Sequence, residues 1–463
     1  MSKSDYHRTS RILCAIEQCA TILIFSMLLL SFQPTAWGQT SLAPPQEGIP
    51  LSLSQAVSSA LKNNLRELLA QERIVQSKGE KGLRLAALLP NISGTAYQAN
   101  VTENLAALGL PVGGSSTIPA FIGPFNRFDA RLQLFQSIFD LASIRRLQAG
   151  RRGVTLAAHE ERLAAQQAVV STTLAYLAVL EAEQTVAAAQ ANVQLGQRLL
   201  ELAISQRNAG VATGVDVARA ETRLASQRVQ RSQASTALDT ARINLMRLIG
   251  APLSQQPVLS DPMKFQPESL PSVEEAIHQA LADRIELRIA EDQLKIAEAQ
   301  RKAALADWMP SVSAFGDYGS SGLTPNEVAL PTRSIGVRIA IPLYDGGRTR
   351  SQMQVASSQQ RQAELRLSDL RVEVEKDVRI ALKNLATREE QVTVAQKSAT
   401  LAERELELAQ DRFANGVGDN VEVVNAQTAL ENARQVYVSS LLQFNVARLN
   451  LTAALGQAEN FHL

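Results

Sequence analysis

One feature limits what this chain can fold into more than any other: it is written twice. Displaced by 206 positions, Arg207-Asn208-Ala209-Gly210-Val211 falls on Phe413-Ala414-Asn415-Gly416-Val417, and Ala241-Arg242-Ile243-Asn244-Leu245 falls on Ala447-Arg448-Leu449-Asn450-Leu451. Toward the front of each copy the displacement is 220, where Ser52, Gln55, Ala60-Leu61 and Leu89-Pro90 meet Ser272, Glu275, Ala280-Leu281 and Met309-Pro310. A repeat of this size makes two structural units of one design. The change in displacement puts extra residues between Pro90 and Asp140 relative to the stretch between Pro310 and Asp345. The boundaries read as a first repeat over 39–250, a Pro-rich linker over 251–270, a second repeat over 271–456 and a tail over 457–463.

Proline then divides each copy, because it disrupts a helix interior at a cost of about 3 kcal/mol. None occurs between Pro124 and Pro252 or after Pro342. Inside those limits apolar residues recur every seven positions: Leu156, Leu163, Val170 and Leu177, then Val186, Val193 and Leu200. Past the break come Val217, Leu224, Leu238 and Leu245, and in the second copy Val423, Leu430, Tyr437, Phe444 and Leu451. Spacing by seven is a coiled-coil seam. Helices over Leu141–Arg207 and Arg348–Phe413 would each run ~100 Å at 1.5 Å per residue. The breaks at Gly210 and Gly214, and at Gly416, therefore predict hairpin tips where glycine or asparagine turns the backbone left-handed and the next helix runs back. Ser52-x-x-Gln55 and Ser272-x-x-Glu275 predict capping boxes that start a helix in each copy.

The segments before the long helices have period two. Phe128, Ala130, Leu132, Leu134 and Ile138 alternate with Asp129, Arg131, Gln133 and Ser137. Ile335, Val337, Ile339, Ile341 and Leu343 alternate with Ser334, Gly336, Arg338 and Ala340. These predict strands of ~10 residues with one apolar and one polar face, long enough to cross a membrane when tilted. Weaker strands are expected over 92–101 and 312–318, so each repeat offers one hairpin. Asn104–Asn126 is the longest uncharged run beyond the signal segment, but it contains Pro111, Pro119, Pro124 and four glycines, and reads as the loop of the first hairpin rather than a transmembrane helix. Four strands cannot close a barrel in lipid without unsatisfied edges, so a membrane reading requires several chains to share one. A soluble sheet packed on one face has the same alternation.

Lys3, Arg8 and Arg11 precede an uncharged run from Cys19 to Phe32 and Ala36-Trp37-Gly38, which reads as a signal peptide over 1–38. An uncleaved anchor needs ~20 apolar residues, more than this run has. Cys14 and Cys19 both fall in it, leaving the exported chain without a thiol. The 46 basic and 45 acidic residues balance, which gives no electrostatic case for nucleic acid. His159, His278 and His462 have no metal-binding spacing, and Gly113-Gly114-Ser115 is followed by no phosphate-loop lysine. Neither an enzyme nor a cofactor is expected.

Leu53-x-x-Ala56 opening a helix, Leu88-Leu89-Pro90 and Trp308-Met309-Pro310 before strands, "IPLYDGGR" at Ile341–Arg348 and "VEVVNAQTAL" after the second tip together resemble the TolC family of outer membrane efflux proteins. The resemblance covers nearly all of the chain beyond the signal segment. It implies a mixed α and β membrane protein. Three chains would form it, each giving four strands to one transmembrane β-barrel and its long coiled-coil hairpins to a periplasmic α-barrel. It further implies a passive exit duct that receives cargo from an inner-membrane pump through a periplasmic adaptor. By the family's pattern the adaptor docks on the tips, here Gly210, Val211, Ala212, Thr213 and Gly214, with Gly416, Val417, Gly418 and Asp419. Of these, Val211 and Val417 are apolar residues at turns, where folding alone gives no reason for them. The family places acidic residues after the second tip at the pore entrance, a position held by Glu422. Asn425 stands where a second acid is common, and Asp216 is the first-copy counterpart of Glu422. A helix-start carboxylate favoured by the helix dipole is the alternative for Glu422 and Asp216. Lipoprotein relatives begin with cysteine, whereas Gln39 stands here, so no acyl anchor is expected. A periplasmic coiled-coil scaffold or adaptor without a pore is the competing reading.

Overall fold

The computed structural model describes residues 49–108, 119–267, 270–415, 417–418 and 420–463. The signal segment, Gln39, Gly113-Gly114-Ser115, Gly416 and Asp419 lie outside the described residues. In chain order the first copy runs β1 (Ile49–Leu51), α1 (Leu53–Asn63), α2 (Leu65–Ala86), β2 (Asn91–Asn104), β3 (Phe121–Phe139), α3 (Leu141–Asn208) and α4 (Gly214–Leu248). The second runs β4 (Pro257–Leu259), α5 (Val273–Asp283), α6 (Ile285–Ala306), β5 (Ser311–Gly322), β6 (Leu330–Ala340), α7 (Arg348–Ala414) and α8 (Asn420–Ala454). The duplication is plain in the lengths. α1 and α5 have 11 residues each, α2 and α6 have 22, α3 and α7 have 68 and 67, and α4 and α8 have 35.

Both capping boxes form: Ser52 and Ser272 accept from the backbone N–H of Gln55 and Glu275, whose side chains accept in return. Each then opens an 11-residue helix whose inward alanines, Ala56 and Ala60 or Ala276 and Ala280, are fully buried. Small residues there let α1 lie close on α3, and α5 on α7. The seam residues of the return helices are also in the core: Val217, Leu224, Leu238 and Leu245 in α4, and Val423, Leu430, Phe444 and Leu451 in α8. In α3 the upper seam residues Leu156, Leu163 and Val170 are only half-buried, and burial becomes complete at Leu177. The reason is geometric, since α3 is flanked in its upper part by α2 and α6 rather than by a coiled-coil partner.

The main core sits where the short helices and β1–β4 cover the long ones, around Tyr176, Leu177, Leu245, Leu287, Val374, Val378, Phe444 and Leu449. β1 and β4 pair in parallel, stitching the first copy to the segment between the copies. The Tyr176 hydroxyl, its pKa pushed up to about 12 by burial, donates to the Leu51 carbonyl at 2.9 Å and accepts from Asp261 N at 3.3 Å. Asp261 in turn caps α1 by accepting from Leu53 N at 2.7 Å.

The four long strands form one antiparallel sheet in the order β2-β3-β5-β6. Its register places Ile92, Ala96, Ala130, Leu132, Leu134, Val312, Ala314, Ile335, Val337 and Ile339 on one face. Thr95, Asp129, Arg131, Gln133, Ser313, Asp317, Ser334 and Arg338 share the other. Two expectations need correction. β3 has 19 residues and β2 has 14, so the stretch from Phe121 to Asn126 is strand rather than loop. Pro124 is tolerated because the ladder breaks between Val101 and Glu103, where Thr102 stands against Gly123-Pro124, a bulge that needs no donor from proline. In the second copy β6 stops at Ala340, leaving Ile341 and Leu343 exposed beyond the strand at its junction with α7.

Candidate duct wall and helix tips

The two open edges of the sheet, β2 and β6, belong to different copies. Adjacent helices follow the same sequence as their strands, with α2 against α3, α3 against α6 and α6 against α7. The apolar sheet face is largely exposed: Ile92, Leu132, Ile335, Val337 and Ile339 are each between 60% and 85% exposed. Across the polar face Arg131 joins Asp129 on its own strand and Asp317 on β5 at 3.2 Å, linking the two copies. Asp129 is buried by this cluster. Beside it Arg338 lies over the Phe315 ring at 5.3 Å. Gly319 is the residue that lets β5 come up to Arg131, since a Cβ there would meet Ala130 O and Arg131 Cβ, and Arg131 Cα at 2.6 Å. The sequence marked Asp129 and Arg131 only as polar alternates; Asp317, 186 positions away, could not be paired with them from spacing.

At the other end of the long helices the two tips repeat one geometry. In the first, the N–H groups of Val211 and Ala212 donate to Gln206 O at 3.0 and 3.3 Å; in the second, those of Val417 and Gly418 donate to Arg412 O at 2.9 and 3.1 Å. Val211 and Val417 are exposed, at 62% and 73%. Gly210 has the left-handed backbone expected of it, with φ +78°. Gly214 does not, and Gly416, for which the same was expected, lies outside the described residues. Gly214 is instead the first residue of α4, because Thr213 has already turned the chain and caps the helix.

Asp216 completes that cap. Its carboxylate accepts from Thr213 N at 2.9 Å and Thr213 Oγ1 at 2.7 Å, with Arg219 at 3.6 Å. The Thr213 hydroxyl, then its backbone N–H, hold the Asp216 pKa below the usual carboxylate value. A carboxylate with a depressed folded pKa stabilises the fold above its unfolded value, about 4, and loses that contribution as pH falls through the folded value. Amide exchange over 211–218 should therefore be slow and flat with pH, after correction for intrinsic rates, down to about pH 4 and should accelerate below it. Asp216→Asn should remove that acid limb, and an unchanged profile would show that the cap is not holding the tip.

Glu422 lies 3.5 Å from Arg412 Nε, which joins the two arms of the second hairpin. Asn425 is exposed a turn further on. The tips are also tied to each other: Gln206 Nε2 donates to Phe413 O at 2.7 Å, and Asn420 Nδ2 donates to Asp216 O at 3.0 Å. Higher up, Glu431 accepts from Arg223 and from Gln227, the latter at 2.5 Å. None of these cross-copy bonds is readable from a repeat, which aligns the copies without saying how they touch.

An amphipathic sheet with two open edges, continued by helices of 68 and 67 residues that end in exposed turns, defines a stave of a membrane-anchored helical duct. The model of the family described as outer membrane efflux protein matches residues 49–251 and 276–457, and the chain belongs to that family. It is 25% identical over 351 residues to outer membrane protein TolC of Escherichia coli, covering 72% of this chain and 70% of that one. It is 26% identical over 430 residues to the probable efflux pump outer membrane protein TtgC of Pseudomonas putida, covering 88% and 83%. Among solved structures, the CmeC outer membrane channel of Campylobacter jejuni superposes with a TM-score of 0.74 at 19% identity, over 88% of this chain and 86% of that one. The chain is accordingly an outer membrane channel of a tripartite export system, with its helical part in the periplasm.

Proposed function

We propose that three copies of this chain close one twelve-stranded barrel in the outer membrane, and that their hairpins close one tunnel below it. The observation that carries this is the four-stranded sheet with an uncovered apolar face and two unpaired edges. In lipid an unpaired strand edge costs several kcal/mol for each orphaned backbone group, so β2 of one copy must meet β6 of the next. The duct is passive: its residues hold the wall and the mouth open to a partner rather than carry out a reaction. The polar sheet face, with Asp129, Arg131, Asp317 and Arg338, lines its upper lumen.

The tips are the docking surface for a periplasmic adaptor that connects the duct to an inner-membrane pump. Val211 and Val417 supply the apolar contacts, at equivalent positions in the two hairpins. Gly210, Ala212, Thr213, Gly214 and Gly418 shape those two turns, and Gly416 and Asp419 belong to the same proposed docking surface. Glu422 supplies charge at the entrance, and Asn425 takes the second position without charge. Asp216, spent on its cap, contributes there mainly by position.

The mature chain has no cysteine of its own, so a single Val417→Cys thiol reports on its surroundings alone. Cross-linked in cells through a short thiol-reactive photoprobe, this variant should yield one dominant adduct with a periplasmic adaptor. A cysteine on the apolar sheet face, Val337→Cys, should yield none. Adducts that are equally abundant from both positions, or absent from Val417, would remove the docking assignment.

A further inference from the structure

α3 and α6 are antiparallel neighbours within one chain, clamped by Arg146–Asp307 at 2.6 Å near the sheet and by His159–Asp292 at 2.8 Å further down. Between the clamps lies a cleft of about 430 Å³ lined by Arg151, Arg152, Lys295, Lys302 and Glu298. Four cations and one carboxylate concentrate there in a chain whose total charge is +1. Among the described residues, no carboxylate comes within 4.0 Å of Arg151, Arg152 or Lys302; Lys295 just reaches Asp292 at 4.0 Å. On the same two helices Arg146 is paired with Asp307 and Arg288 with Glu291. Uncompensated like charges facing one another across a cleft are unfavourable unless an anion joins them.

The side of the wall on which the cleft opens follows from the helical stripe it occupies. Arg152, Thr155, His159, Arg162 and Gln166 recur at three- and four-residue steps along one face of α3. At the lower end of that stripe Gln166 donates to the Gly456 carbonyl at 3.3 Å, where the layer of short helices and β1–β4 covers the long ones. A conduit must keep its inside open, so that layer is on the outside, and so is the cleft. The seam between α3 and α6 is internal to the chain, so a neighbouring copy does not cover it.

Chemistry along α6 then identifies the occupant. Coming down from the sheet, exposed Met309, Trp308 and Leu305 are followed one turn later by Lys302 and two further turns on by Lys295. Apolar and indole side chains giving way to lysines and arginines is the order in which a protein surface meets acyl chains, the interface and phosphates. Arg151 and Arg152 add planar guanidinium groups suited to phosphate oxygens. We propose that this cleft holds the phosphate headgroup of an anionic phospholipid from the periplasm-facing leaflet, one site per chain. The proposal rests on the membrane position of the sheet given above.

The test uses the delipidated full-length protein in mild detergent, titrated with short-chain phosphatidylglycerol, short-chain phosphatidylcholine or glycerol phosphate, with bound lipid counted by native mass spectrometry. Phosphatidylglycerol should be retained at least tenfold better than phosphatidylcholine, with about one tightly held molecule per chain. Arg152→Gln with Lys302→Gln should erase most of that preference, at about fivefold per lost charge. The charge-matched pair Lys383→Gln and Lys397→Gln, far down α7, should keep it. Equal retention of the two lipids, or an undiminished preference in the Arg152 and Lys302 variant, would overturn the proposal. Competition by glycerol phosphate as strong as that by the lipid would also overturn it, by assigning the cleft to a free anion. Failure of the duct reading itself would look different: the unmodified chain would leave membranes in carbonate before any lipid was added.

Discussion

Replacing Gly319 with alanine should abolish assembly of the chain in the outer membrane. The residue stands opposite Arg131 on the seam between β3 and β5, the only pairing that joins the two copies within the described sheet. A methyl group there meets backbone rather than a movable side chain, with Arg131 Cα at 2.6 Å and Ala130 O closer still. The strands must move apart or slip, and a slip by one residue would carry Leu132 and Leu134 to the polar face and Arg131 into lipid. A basic side chain at mid-membrane on the lipid face of a barrel costs about 2–4 kcal/mol. Heat-modifiable oligomer from outer membranes, run unheated on a gel, is the readout. Gly316→Ala is the matched control, because a Cβ at 316 meets nothing nearer than Ser334 O at 3.6 Å. Equal assembly of the two variants would show that the β3–β5 seam tolerates what its geometry forbids.

The second large effect belongs to the periplasmic core. Phe444 is 1% exposed, and its ring packs edge-on against Phe265 at 5.0 Å between centroids. Phe265 belongs to the segment between the copies, so this contact, with Met263 and the β1–β4 pair, fastens that segment to α8. Phe444→Ala should lower stability by about 3–5 kcal/mol, from lost burial plus the cavity left behind. Phe444→Leu should cost much less, since it keeps most of the volume. Limited proteolysis would detect the difference as new cleavage between Pro257 and Phe265 in the alanine variant alone. A protected segment in both variants would mean that Phe265 is held by other contacts.

Much of this architecture could be read from the chain because the physics behind it is local or periodic. Proline is excluded from a helix interior, so its absence over 125–251 and beyond 342 enclosed the long helices, and the expected spans 141–207 and 348–413 each end one residue short of the observed ones. Ser52–Gln55 and Ser272–Glu275 capped helices as their spacing required, and Ile335, Val337 and Ile339 showed one face of β6 by alternation alone. Glycine was less informative because it allows several backbones without requiring any. Gly210 is left-handed while Gly214 is helical, and Thr213 and Asp216 decide which. Pro124 misled for a related reason, since a bulge removes the hydrogen bond that proline could not make. Contacts between the copies were illegible: Arg131 to Asp317, Gln206 to Phe413 O and Asn420 to Asp216 O depend on how two similar units are placed side by side.

The central claim is that open sheet edges of separate copies meet. A cysteine at Ala96 in β2, combined in turn with one at each position from 332 to 338 in β6, tests it directly in a chain whose Cys14 and Cys19 are replaced by serine, so that no other thiol competes. After oxidation in outer membranes and denaturation without reductant, at least one pair should give a covalent trimer as the terminating species, which resolves to single chains on reduction. An intramolecular bridge within one chain, or an open ladder of dimers and higher species with no terminating trimer, would contradict it.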